Sequence, residues 1–230
     1  MSIHRSPAAT RDDEAMSVVA PPVTGLGLLE LLVLAVEPDH CAGIDLASGA
    51  LIRVWTTEPI DPDIGPYDVV SGRTAPDERW RLPDPTQPEA VVLVGAPTVT
   101  GRMRGRRAER YLRPVVHPAG QPLLGFHGPA IPFWQRTGDQ PSVTLIEPEG
   151  AAIVVRQRSR LLCRLKWQGR VLQLPCIDAR AGQLLVRTGR TWLETSRTDR
   201  LLVALTPPVS GHCHKVVAGV VPRPRRSGRG

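Results

Sequence analysis

The stretch LCRLKWQGRVLQLPC, Leu162 to Cys176, alternates so regularly that it sets the reading of the whole chain. Side chains of a strand point alternately to its two faces. Leu161, Cys163, Leu165 and Trp167 therefore share one side, and Leu162, Arg164 and Lys166 the other. Gln168-Gly169 is a two-residue turn of the kind that joins antiparallel strands. A hairpin with one apolar and one cation-bearing face is predicted.

On either side of this hairpin, the segments SVTLIEP, AIVVRQR, LLCRLKW, RVLQLPCI, QLLVRTG, RLLVALTPP and HCHKVVAGVV after Pro141 all read as short strands divided by turns. Towards the N-terminus, LELLVLAV (Leu29 to Val36), CAGIDL and ALIRVW form a three-strand meander, with AVVLVGAP as a further strand. Residues 56–88 are polar and Pro-rich and read as a long insertion, with one helical turn near Pro76 to Trp80. Residues 122–140 are too rich in Pro and Gly for a packed element and read as an irregular linker. The 21 glycines and 24 prolines suit many short strands better than long helices. No crossover helix is expected, and the fold class predicted is all-β, two tandem antiparallel barrels.

The formal charge of +7 is unevenly placed. GRMRGRRAERYLR (Gly101 to Arg113) holds six arginines against Glu109, and the tail from Arg223 holds four more, which leaves the remainder slightly acidic. Two basic segments on such a body form an electrostatic footprint for phosphate. A GC-rich genome accounts for arginine replacing lysine, which occurs only at Lys166 and Lys215, but not for the clustering. The four cysteines, Cys41, Cys163, Cys176 and Cys213, form no CxxC pair, against a zinc ribbon or thioredoxin-like site. Asp12, Asp13 and Glu14 stand where a signal peptide carries positive charge, and the apolar run after them is too short to cross a bilayer. A cytoplasmic protein with reduced thiols is expected. Residues 1–26 read as a disordered lead-in, with Met16 as an alternative start.

LLVLAVEPDHCAGIDLASGALIRVW resembles the opening strands of the dual OB-containing domain family, with its Cys-x-Gly-Ile strand and Leu-Ile-Arg strand. SVTLIEPEGAAIVV and RLLCRLKWQGRVLQLPCIDAR are similar to that family's second-barrel hairpin, which ends in an aspartate, here Asp178. LLVALTPPVSGHCHKVVAGVV is similar to its last strand pair, whose Lys-Leu-Val-Ala signature is matched by Lys215 to Ala218. The chain departs from the pattern at Val54, at IDAR and at His214. The resemblance implies two tandem OB-like barrels, at 27–121 (with the insertion) and 141–222, followed by a basic tail, 223–230. It also implies a non-catalytic nucleic-acid-binding accessory module of prokaryotic conflict or defence systems.

OB barrels hold single strands with cations along the backbone and rings that stack on bases. The candidate contacts are Arg53 and Trp55 on one face of a strand, and Arg102, Arg104, Arg106, Arg107 and Arg110, expected on a loop over a barrel mouth. Arg164, Lys166, Trp167 and Arg170 around the hairpin complete the set. Trp55 and Trp167 have a competing reading as core residues, and Arg53 as the rim of a core. Single-stranded DNA or RNA is the expected partner, with a protein-interaction adaptor docking an acidic partner as the alternative. A metal enzyme built on His40, His212 and His214 is a more distant one, and no cofactor is expected. The acids are dispersed and no Ser-His-Asp arrangement is visible.

Overall fold

Five strands close a barrel in the first half: β1 (Leu28–Val36), β2 (His40–Asp45), β3 (Leu51–Thr56), β4 (Asp68–Thr74) and β5 (Ala90–Arg102), in the spatial order β1-β2-β3-β5-β4. All neighbours are antiparallel except β3 and β5. The computed structural model describes residues 27–75, 86–138 and 140–224. The predicted lead-in, the helical turn at Pro76 to Trp80 and residues 225–230 of the tail lie outside the described residues.

After β5 come α1 (Gly105–Leu112), β6 (Ala130–Pro132), β7 (Val143–Ile146), β8 (Ile153–Gln157), β9 (Arg160–Trp167) and β10 (Arg170–Cys176). The chain continues through α2 (Ala179–Thr188), β11 (Trp192–Glu194), β12 (Arg200–Leu205) and β13 (His212–Val221). These strands form a second sheet, ordered β11-β8-β9-β10-β13-β12-β7, with β6 added alongside β13. Among its described strands the parallel pair is β10 with β13. The all-β barrel class is therefore correct, but neither sheet is wholly antiparallel.

The β9–β10 hairpin is present as predicted. Trp167 pairs with Arg170 across Gln168-Gly169, and both turn residues have positive φ, 50° and 72°. That is the primed turn that matches the twist of paired strands. Cys163, Leu165 and Trp167 are buried while Arg164 and Lys166 are exposed.

The β1 run is apolar throughout because both its faces are covered. Leu29, Leu31 and Val33 pack inside the barrel with Ile52 and Val54. Leu32 and Leu34 pack outward against Val143, Leu145, Leu202 and Val216 of the second sheet. The two halves approach so closely that a Cβ on Gly219 would stand 2.7 Å from Ala35 Cβ. The second sheet encloses its own core, including Cys163, Leu165, Trp167, Leu201 and Val217.

Three sequence expectations are corrected. QLLVRTG is not a strand but the body of α2, because Asp178 caps its N-terminus by accepting from the backbone N–H of Arg180 and Ala181. Gly189, in the left-handed region, ends it, and Ala181 and Leu185 one turn apart bury its inner face. The 56–88 insertion contains β4, which pairs with both β1 and β5 and closes the barrel. The 122–140 linker is packed: Leu123 and Leu124 enter the second core, and β6 pairs with His212–His214.

Candidate nucleic-acid interface

The basic segment is a helix where a loop was expected. Arg102 ends β5, and from Gly105 the chain turns into α1, where Ala108 and Leu112, one turn apart, are fully buried between the two sheets. Ala, Arg, Glu and Leu are all good helix formers. Pro114 lies just beyond the last helical residue, where it cannot continue the ladder. At the entry, Met103 is buried and donates its backbone N–H to the Tyr67 carbonyl.

A single ion cluster pins the helix. Arg200 on β12 donates from Nη1 and Nη2 to the two Glu109 oxygens at 2.9 and 2.7 Å, and from Nε to Glu147 Oε1 at 2.9 Å. The Arg200 hydrogen bonds hold the Glu109 carboxyl below its usual range, and the same bonds hold Arg200 firmly protonated. Tyr67 Oη donates to the Pro222 carbonyl and ties the barrel to the end of β13 nearby.

With its inner face and its one acid engaged, α1 presents Arg106, Arg107 and Arg110 to solvent, with Arg104 at its N-cap and Arg113 at its C-cap also exposed. None of these five makes an ion pair with a described residue. Arg102, by contrast, lies 3.5 Å from Asp68. Arg107, Arg110 and Tyr111 line one open concavity of about 470 Å³. A second groove of about 680 Å³ runs past Arg113 to Arg197, Arg200 and Arg223, but Glu109, Glu147 and Asp199 also line it. The positive surface is thus continuous along α1 and mixed in sign beyond it.

The remaining predicted contacts do not gather there. Ile52 and Val54 point into the barrel, so Arg53 and Trp55 point out of it. The outer face at Arg53 is covered by the second sheet, leaving Arg53 3% exposed, with Nη1 donating to the Leu205 carbonyl at 2.7 Å. Arg53 is therefore corrected from a phosphate contact to an internal strut. Its charge also acts on Glu89, whose carboxyl burial pushes up and which the Ser142 hydrogen bonds and Arg53 hold down.

Trp55 is half-buried, stacked on His40 at 4.4 Å, with Nε1 donating to Gln87. Trp167 is core, as its competing reading had it. Arg164, Lys166 and Arg170 are exposed around the hairpin, with Lys166 paired to Glu149 at 3.0 Å.

His40 is bonded to Glu37 and Asp39, and among the described residues no group of three or more His, Cys, Asp or Glu side chains is placed to hold a metal ion. The four cysteines are all buried, and burial pushes the Cys41, Cys163 and Cys176 thiols up to about 12. Among the described residues no helix is long and apolar enough to cross a membrane.

Sequence reasoning missed Arg197 and the exposed aromatic pair Phe133 and Trp134, whose second ring meets His212 edge-on at 6.1 Å. The pair sits in the Pro- and Gly-rich stretch read as a linker, and only its two adjacent rings could have flagged it. Compared with protein-family models, curated proteins and solved structures, the chain matches none.

Proposed function

We propose that this chain is a non-catalytic nucleic-acid-binding module of two OB-type barrels that holds single-stranded DNA or RNA along α1. The closed strand order β1-β2-β3-β5-β4, with β3 parallel to β5, supports this reading, because a five-stranded Greek-key barrel is what an OB fold requires. For the second sheet the proposal takes β7 and β8, at the two ends of the order β8-β9-β10-β13-β12-β7, as one interrupted first strand. Then β9, β10, β12 and β13 repeat the same neighbours and the same parallel pair. A role in a prokaryotic conflict or defence system is proposed from the family resemblance alone.

The observation that carries the reading is the clustering of Arg104, Arg106, Arg107 and Arg110 on an exposed helix with no acidic partner among the described residues. Cations so placed release counterions when they meet a phosphate backbone, which makes affinity fall steeply with salt. The test is fluorescence anisotropy of labelled single- and double-stranded DNA and RNA across a salt series. Replacing the four arginines with alanine is expected to flatten the log–log salt slope by about 0.7 for each phosphate of a single strand that is no longer neutralised. Absence of binding to any of the four nucleic acids at low salt refutes the reading.

An adaptor function is the second reading, and Phe133 and Trp134, 45% and 64% exposed, favour it. Exposed aromatic clusters mark protein contacts as well as stacking sites. A pull-down of an acidic protein that Trp134→Ala abolishes, with nucleic-acid binding absent, would select it.

A further inference from the structure

Apart from α1, a cavity of about 470 Å³ opens between β9, β10, β13 and residues 122–129, a size common among small-molecule sites. Lys215 projects into it from β13. It is 4% exposed and donates from Nζ to the Phe126 carbonyl at 2.6 Å, with the ammonium 3.8 Å from the centre of the Phe126 ring. It has no ion pair with any described residue, and among the described residues no acidic side chain lines the cavity. Trp167, on a neighbouring wall, is 9% exposed, and its buried Nε1 has no hydrogen-bond partner among the described residues. A buried cation whose only contacts among the described residues are a carbonyl and a ring is costly to the fold unless a counter-charge meets it. Arg170 also lines the cavity and is solvent-exposed, while Leu172 and Leu174 supply apolar wall.

Two cations and no acid match a dianionic head, and a phosphate monoester is close to dianionic at neutral pH. We propose that this cavity binds a phosphate monoester carried on a flat apolar body, such as a nucleotide, with Lys215 and Arg170 directed to its oxygens and Trp167 forming part of the wall. The apolar body lies along Leu172 and Leu174. Burial lowers Lys215 to about 8, so its charge is retained at pH 7 and lost by pH 9.5. The other charged or titratable groups around it are Arg170 and His127 in the cavity wall. His117, outside the wall, is lowered by its own burial and by the charge of Lys215. The site is independent of strand binding at α1.

The experiment follows the Trp167 indole N–H resonance of the ¹⁵N-labelled full chain, assigned by its loss in Trp167→Phe, during titration with 5′-UMP and 5′-AMP. A saturable shift is expected, its affinity weakened roughly tenfold in Lys215→Met and several-fold in Arg170→Gln, as for hydrogen bonds to charged groups. Arg170 is exposed, so its variant keeps the test open if Lys215→Met fails to fold. Wild-type affinity should drop between pH 7 and pH 9.5.

No saturable shift up to about 10 mM nucleotide, a concentration that reveals even feeble affinity, overturns the proposal. So does a shift unchanged in both variants. Trinucleotides with and without a 5′-phosphate separate the sources: a shift only with the phosphorylated strand assigns a strand end, and a shift only with mononucleotides assigns a free metabolite. The quadruple arginine-to-alanine variant of α1 should leave the nucleotide shift intact, which keeps a failure of strand binding distinct from a failure of this site.

Discussion

Replacing Arg53 with methionine should destabilise the protein while leaving any salt-dependent nucleic-acid binding unchanged. Methionine keeps the apolar stem packed between barrel and second sheet but removes the charged hydrogen bond to the Leu205 carbonyl. Hydrogen bonds to charged groups contribute about 1.5–3 kcal/mol. In a chain of this length each kcal/mol moves Tm by roughly 2–4 °C, so a fall of about 3–12 °C is expected. Glu89 adds a pH signature. Its carboxyl is already raised by burial, so the folded state holds its proton to higher pH than the unfolded state, and stability declines as pH rises through that window. Without Arg53 the folded value rises further and the window widens, so the loss is smaller at pH 4.5 than at pH 8. Calorimetry at the two pH values reads the stability. Anisotropy at 15 °C, below unfolding, reads the binding. Full stability together with a flattened salt slope would show that Arg53 meets phosphate and is no strut.

Three further outcomes are expected. Arg200→Met removes the clamp on Glu109 and Glu147 and should cost about 2 kcal/mol, below the figure for fully buried pairs because both carboxylates are partly solvated; hydrogen exchange should quicken in α1 but not in the β9–β10 hairpin. His40 is pulled down by burial, yet its hydrogen bonds to Glu37 and Asp39 leave it raised. Its stabilisation is therefore complete below pH 6.5 and lost as pH rises through the folded value, and urea midpoints should show that decline in the native chain and not in Glu37→Gln. Gly219→Val drives a side chain into Ala35 and should cost about 1–3 kcal/mol by overpacking, with part recovered in the double variant carrying Ala35→Gly.

The fold was legible where a local rule acts alone. Period-two alternation and the Gln168-Gly169 turn specify the β9–β10 hairpin without help from the rest of the chain. The rule misleads where one half covers the other: Arg53 sits on an outward face, and nothing in its own strand announces that the second sheet lies against that face. α2 was legible in principle, since Asp178 and Gly189 are start and stop signals, but the apolar run Leu184 to Val186 reads equally well as a strand.

The arginines of α1 hid a helix because only Ala108 and Leu112 mark its buried face. Their placement also argues that they are not there for the helix. Arg106 and Arg107 lie in the first turn, where the macrodipole disfavours cations by roughly 0.3–1 kcal/mol each, and no acid sits in that turn to offset them. A helix burdened in this way needs the Arg200 clamp and the two buried apolar side chains to stay docked. The strand-binding proposal rests on these cations, which oppose their own helix and make no ion pair with a described residue, and the salt slope of single-strand binding, compared between the native chain and the quadruple variant, is the quantity that tests it.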